Sequence, residues 1–102
     1  MAKVKICGIR RMEDIAYINK YMPEYVGFVF ANSKRQVTGE QVKELRAGLD
    51  KRVKTVGVFV NEREETVLET ARECRLDIIQ LHGDECPDYI VSLRDRFRYG
   101  MQ

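Results

Sequence analysis

Four short apolar runs rich in β-branched residues punctuate the chain: Val4-Lys5-Ile6-Cys7, Tyr25-Val26-Gly27-Phe28-Val29-Phe30, Thr55-Val56-Gly57-Val58-Phe59-Val60 and Asp77-Ile78-Ile79-Gln80-Leu81-His82. Two are apolar without alternation, the pattern of strands covered on both faces. A helical stripe follows each run. The stripes are Ile15, Ile18 and Met22; Val42, Leu45 and Leu49; Val67, Ala71 and Cys74; and Ile90, Leu93 and Phe97. All keep the i, i+3/i+4, i+7 spacing of one helix face. Thr38 with Gln41, and Asn61 with Glu64, each place an N-cap type three residues before Glu or Gln, and Pro87 suits a first helical turn. Arg98-Tyr99-Gly100-Met101-Gln102 reads as a helix end, a turn and the first step of a fifth strand.

The order is therefore βα, four times over. Parallel strands need a crossover between them, so this alternation predicts an α/β fold with a parallel sheet. The 102 residues suit one domain. Two architectures fit equally: a small open sheet with helices on both faces, or half of an eight-unit barrel of ~250 residues. The repeat of Gly27-Phe28-Val29-Phe30 in Gly57-Val58-Phe59-Val60 fits two buried strands with similar needs as well as true repetition. Glycines inside strands predict close backbone approach or bending.

Charge changes the picture by exclusion. A net charge of +2, with 18 basic and 16 acidic residues intermixed, gives no electrostatic reason to expect nucleic acid or an anionic membrane as partner. No apolar run approaches the ~18 residues of a membrane span, and the start leads into no targeting segment. Cys7, Cys74 and Cys86 are odd in number and form no CxxC pair, so neither a disulfide framework nor a metal site is expected. Reduced thiols in a cytoplasmic protein are the simplest reading.

Ligands of parallel α/β sheets bind at the C-terminal strand ends. Those ends carry Cys7-Gly8-Ile9-Arg10, Ala31-Asn32-Ser33-Lys34-Arg35, Asn61-Glu62-Arg63 and Gln80-Leu81-His82-Gly83-Asp84. Residues two apart in a strand share a face, which pairs Lys5 with Cys7 and Gln80 with His82. An ammonium beside a thiol favours the thiolate, the basic and nucleophilic form. The plainer readings are a small buried apolar residue for Cys7 and a solvated edge charge for Lys5. His82, the only histidine, is read equally as a loop hydrogen-bonding residue or a site residue. Gln80 is an amide in an apolar strand and needs partners, from a ligand or from backbone. Arg35 suits a carboxylate or phosphate, or else is a solvated loop base. Glu13 and Asp14 read as partners of the first helix dipole, and Cys74 and Cys86 as packing residues on helical segments.

Taken together, Val4-Lys5-Ile6-Cys7-Gly8-Ile9, Gly27-Phe28-Val29-Phe30 with Ser33-Lys34-Arg35-Gln36-Val37, Thr55-Val56-Gly57-Val58-Phe59-Val60-Asn61, and Leu76-Asp77-Ile78-Ile79-Gln80-Leu81-His82-Gly83-Asp84-Glu85 resemble the first four strands and loops of phosphoribosylanthranilate isomerases. The resemblance covers essentially the whole chain, in order and at family spacing. It implies the (β/α)8 TIM barrel, of which residues 1–102 would be the N-terminal half, truncated at the start of strand five. It implies the Amadori rearrangement of N-(5-phosphoribosyl)anthranilate to the carboxyphenylamino-deoxyribulose phosphate, a step of tryptophan biosynthesis, without metal or organic cofactor. Cys7 would be the general base taking the sugar C2 proton, Lys5 its neighbour, Arg35 the holder of the anthranilate carboxylate, and Gln80 and His82 pocket residues. The family's general acid, an aspartate on a later strand, and its phosphate-binding loops after strands seven and eight have no counterpart in this stretch. The sequence also departs from many relatives at Ser33-Lys34-Arg35, where they have a proline. Three functional expectations follow: an isomerase piece acting on a phosphorylated small molecule once joined to the missing half, a non-enzymatic half-barrel that self-associates, or an open-sheet phosphate-binding module. The last lacks any GxGxxG or GxxxxGKS loop.

Overall fold

The computed structural model describes residues 5–31 and 36–100, without the side chains of residues 5–7 and 98–100. Its elements are β1 Lys5–Cys7, α1 Met12–Tyr21, β2 Tyr25–Val29, α2 Gly39–Gly48, β3 Lys54–Phe59, α3 Glu64–Cys74, β4 Ile78–Leu81 and α4 Pro87–Gly100. Each apolar run is a strand and each stripe a helix, with shifted ends. β3 starts one residue early, at Lys54; Phe30, Val60, Asp77 and His82 fall outside the strands, and Val4 lies outside the described residues. Asp77 is drawn off by its carboxylate, which accepts the backbone N–H of Thr55 at 2.8 Å and the Thr55 hydroxyl at 3.2 Å. Thr55 is fully buried, and a buried hydroxyl needs such a partner.

The strands are all parallel and lie in the order β1-β2-β3-β4. An order without reversal has no switch point, so right-handed crossovers lay every helix on the same face. Each helix packs against the next, α1 on α2, α2 on α3, α3 on α4. The open sheet with helices on both faces is thereby excluded, and the four units form half of a (β/α)8 barrel. Among the described residues β1 and β4 each pair on one side only. No helix among them is long and apolar enough to cross a membrane.

Register separates the two faces. Val26, Phe28 and Phe59 point to the helices and join Ile15, Ile18, Val42, Leu45, Val67, Ala71 and Leu93 in one core. The other face carries the rows Gly27–Val56–Ile78 and Val29–Val58–Gln80. Gly57 belongs to the helix-covered face. A Cβ there would land against Leu76 Cδ1 and come within 3.0 Å of the Phe59 ring and 3.3 Å of the Phe30 ring. Those rings stack with centroids 4.9 Å apart, so the predicted close approach is met at this glycine. Gly57→Ala is expected to lower unfolding free energy by about 1–3 kcal/mol through overpacking. Gly39→Ala, whose added Cβ would meet nothing nearer than Cys74 Sγ at 3.8 Å, should show no such loss, and urea titration of the two variants checks the contrast.

The helix ends show where local pattern was sufficient. Thr38 Oγ1 accepts the Gln41 N–H at 3.2 Å while Gln41 Oε1 accepts the Thr38 N–H at 2.8 Å, the predicted reciprocal cap. Asp14 accepts the N–H groups of Arg10 and Arg11 at the start of α1. Pro87 opens α4. Four expectations are corrected. The N-cap of α3 is Arg63, not Asn61, which takes a left-handed φ of 50° and bonds elsewhere. α4 runs through Gly100, past the expected helix end at Arg98; Met101 and Gln102 lie outside the described residues. Cys74 is buried on α3, but Cys86 precedes α4 and is exposed, so it is no packing residue. Ile90 is 45% exposed although it shares the stripe of buried Leu93, because α4 is the last helix of the layer and has no neighbour beyond α3 among the described residues.

Candidate active site

The C-terminal ends of β1, β3 and β4 converge on one rim. At β1, Gly8 adopts φ 86°, a conformation that favours glycine, and its N–H donates to Gly27 O at 2.9 Å. The turn fixes the backbone just after Cys7, which stands in register with Gly27 of β2. Lys5 stands in register with Tyr25. The side chains of Lys5 and Cys7, and all of Arg35, lie outside the described residues.

At β4 the predicted pair is brought together. Gln80 is half-buried, in register with Val58, and its amide nitrogen bonds His82 Nε2. The His82 N–H donates to Phe59 O at 2.9 Å, which holds the histidine against the end of β3 although its side chain is exposed.

A latch that the sequence reading did not assign joins the loops after β3 and β4. Glu85 accepts the Asn61 N–H at 2.7 Å through one carboxylate oxygen and the Gly83 N–H at 2.9 Å through the other. Asn61 Oδ1 in turn accepts the Asp84 N–H at 2.8 Å. The Tyr89 hydroxyl donates to Glu62 O at 2.7 Å. Burial, then the nearby Glu85, Glu64 and Glu62, pushes the Tyr89 phenol up, so it stays a protonated donor. Gly83 is required for space: a Cβ would lie 2.8 Å from the Asn61 backbone nitrogen. The available signal was Gly83 and Glu85 flanking Asp84, directly after the lone histidine.

Glu85→Ala removes two charge-assisted bonds, each worth ~1.5–3 kcal/mol before solvent screening. Amide exchange at Asn61 and Gly83 is expected to accelerate by at least ~10-fold, with exchange in α1 unchanged. Equal protection of those two amides in the variant would remove the latch from the account.

α3 and α4 are tied by Arg96 of α4, which bonds both Glu65 oxygens at 2.8 and 2.9 Å and reaches Glu64 at 3.1 Å. Arg96 holds the Glu65 carboxyl below the usual carboxylate range.

Parallel strands numbered in unbroken order, helices on one face and polar groups gathered at the C-terminal rim define a half-barrel of the (β/α)8 class. Residues 4–100 match the family model described as N-(5'-phosphoribosyl)anthranilate (PRA) isomerase, and the chain belongs to that family. An N-(5'-phosphoribosyl)anthranilate isomerase of Thermoanaerobacter sp. (strain X514) is 57% identical over 95 residues, covering 93% of this chain and 47% of the relative. The phosphoribosyl anthranilate isomerase of Thermotoga maritima superimposes with a TM-score of 0.89 at 38% identity, over 94% of this chain and 47% of that one. A crystal structure of a phosphoribosyl anthranilate isomerase in complex with reduced 1-(o-carboxyphenylamino)-1-deoxyribulose 5-phosphate gives the same TM-score and identity, with 94% and 50% coverage. The chain spans about half the length of the curated relatives it matches.

Proposed function

We propose that residues 1–102 form the N-terminal half of a phosphoribosylanthranilate isomerase barrel and supply part of its active site. The observation that carries this reading is the half-barrel rim, where Cys7 ends β1 and Gln80 meets His82, in a fold superimposable on an isomerase crystallised with a reduced product. In the proposed reaction Cys7 takes the C2 proton of N-(5-phosphoribosyl)anthranilate, Arg35 holds the anthranilate carboxylate, and Gln80 and His82 line the pocket. Lys5 favours the thiolate, since a thiol of ordinary pKa ~8.5 is mostly protonated at pH 7. The general acid and phosphate anchor come from the other half of the barrel. No cofactor is required, the substrate is a phosphorylated small molecule, and the setting is the cytoplasm.

The partner half would cover the lateral edges. Apart from Val60, every exposed large hydrophobic among the described residues lies on an outer unit: Met12, Tyr17 and Tyr21 on α1, Ile78 on β4, Ile90 and Val91 on α4. Ile78 and Ile90, with Ile79, Leu81, Leu93 and Phe97, line a groove of about 340 Å³ beside β4. The same edges favour a second reading, in which two copies close on each other.

The test joins residues 1–102 to the second half of the Thermotoga maritima enzyme and measures isomerase turnover and rescue of a tryptophan-requiring strain. Turnover and rescue are expected; a folded chimera without either would overturn the assignment. Sedimentation of the isolated chain addresses the second reading, with a dimer supporting closure between copies and a monomer rejecting it.

A further inference from the structure

At the opposite end of the barrel, near the N-terminal ends of β3 and β4, α2 and the end of α3 border an open cleft of about 530 Å³. Its wall carries Lys43, Arg46, Lys51 and Arg75 against one carboxylate, Glu73. Glu73 is engaged by Lys43 at 3.8 Å. Among the described residues Arg46, Lys51 and Arg75 have no ion-pair partner, and Arg46 Nε is buried without an acceptor. The adjacent Asp50 cannot serve them, because both its oxygens are held by Arg52, whose hydrogen bonds lower its pKa to about 2.

Bases near helix C-termini ordinarily answer the helix dipole, so magnitudes must decide. Each helix end contributes roughly half a negative charge, about one for α2 and α3 together. Four cations against one carboxylate leave about three positive charges. About two remain uncompensated, and a phosphate monoester carries about −1.5 to −2 at neutral pH. The cleft also falls within the ~300–1,000 Å³ of small-molecule sites, larger than a bare phosphate needs. Leu49 and the buried Cys74 thiol give it apolar wall. Burial, then Glu73, pushes that thiol up, so no thiolate competes for the cations.

We infer that this cleft binds a phosphate dianion, free or as the head of a small phosphate monoester, at a site remote from the catalytic rim. Arg46, Lys51 and Arg75 are its cationic contacts. The inference does not depend on the isomerase assignment, because it needs only the fold of α2 and α3.

The experiment titrates the 102-residue chain with inorganic phosphate and with glycerol 2-phosphate, against sodium chloride of matched ionic strength, following backbone amide shifts. Saturable shifts confined to residues 43–51 and 73–75 are expected. Lys51→Gln with Arg75→Gln should weaken binding about tenfold or more, each tenfold being ~1.4 kcal/mol. Glu73→Gln should strengthen it, which a merely damaged fold would not do. Tighter binding of glycerol 2-phosphate supports an ester ligand, and equal binding supports the free ion. Shifts no larger than those from sodium chloride, or saturation unchanged in the double variant, would overturn the site.

Discussion

The isolated 102-residue chain is expected to turn over N-(5-phosphoribosyl)anthranilate at least ~10⁴-fold more slowly than a completed barrel. A positioned general acid contributes ~10²–10⁴-fold, and the proposed acid belongs to the other half. Orientation is lost as well. Even sub-ångström positioning of the reacting groups matters, because effective molarities reach ~10⁵–10⁸ M only in near-attack geometry. Here the sheet face of Gly27, Val56 and Ile78 has no opposing strands among the described residues; Val56 and Val58 are buried, but Ile78 is 37% exposed and Gln80 half-exposed, so water reaches the β4 side of a face that a closed barrel would enclose. Electrostatic terms weaken in that high dielectric. Steady-state turnover on the purified chain checks this, with the chimeric full barrel as reference. Turnover within tenfold of the chimera would mean that one half, or two copies of it, assembles a complete site.

What the sequence made legible followed physical locality. The runs of β2 and β3 named their strands because burial on both faces leaves a continuous β-branched signal. Thr38 and Gln41 named a helix start because both halves of the cap lie within one turn. Asn61 and Glu64 offered the same spacing and misled. Asn61 has competing partners in Asp84 and Glu85, more than twenty residues away, and they draw it into a left-handed conformation. Local pattern carries no information about such tertiary bonds. Cys86 misled similarly: thiols are usually buried, but here the helix begins one residue later and leaves it outside the core. The choice between half-barrel and open sheet was not legible from periodicity, because both require the same alternation. Strand order decides it, and strand order is a long-range property. On the rim, Gln80 and His82 were legible as neighbours because they lie two residues apart where β4 runs out. Glu85 was not, since its two acceptor bonds reach different loops.

The assignment of Cys7 separates a functional thiol from a packing thiol most directly. In a full-length barrel carrying this half, Cys7→Ser is expected to keep the fold and lower kcat by ~10²-fold or more, because a hydroxyl is a far weaker base and general-base catalysis contributes ~10²–10⁴-fold. The backbone supports an unstrained replacement: β1 is held by its register with β2 and by the Gly8 and Ile9 N–H groups on Gly27 O, none of which involves the position 7 side chain. Arg35→Ala should behave differently. Holding the anthranilate carboxylate is binding shared by substrate and transition state, so its loss raises KM with kcat little changed. The two variants thus predict opposite splits from one assay. The pH profile adds an independent readout. With Cys7 as base, kcat/KM rises with pH through the pKa of the free-enzyme thiol, and Lys5→Gln moves that rise to higher pH because the thiolate loses its neighbouring charge. Full-length Cys7→Ser with unchanged kcat would remove Cys7 as the base, and an unmoved profile in Lys5→Gln would remove Lys5 as its neighbour.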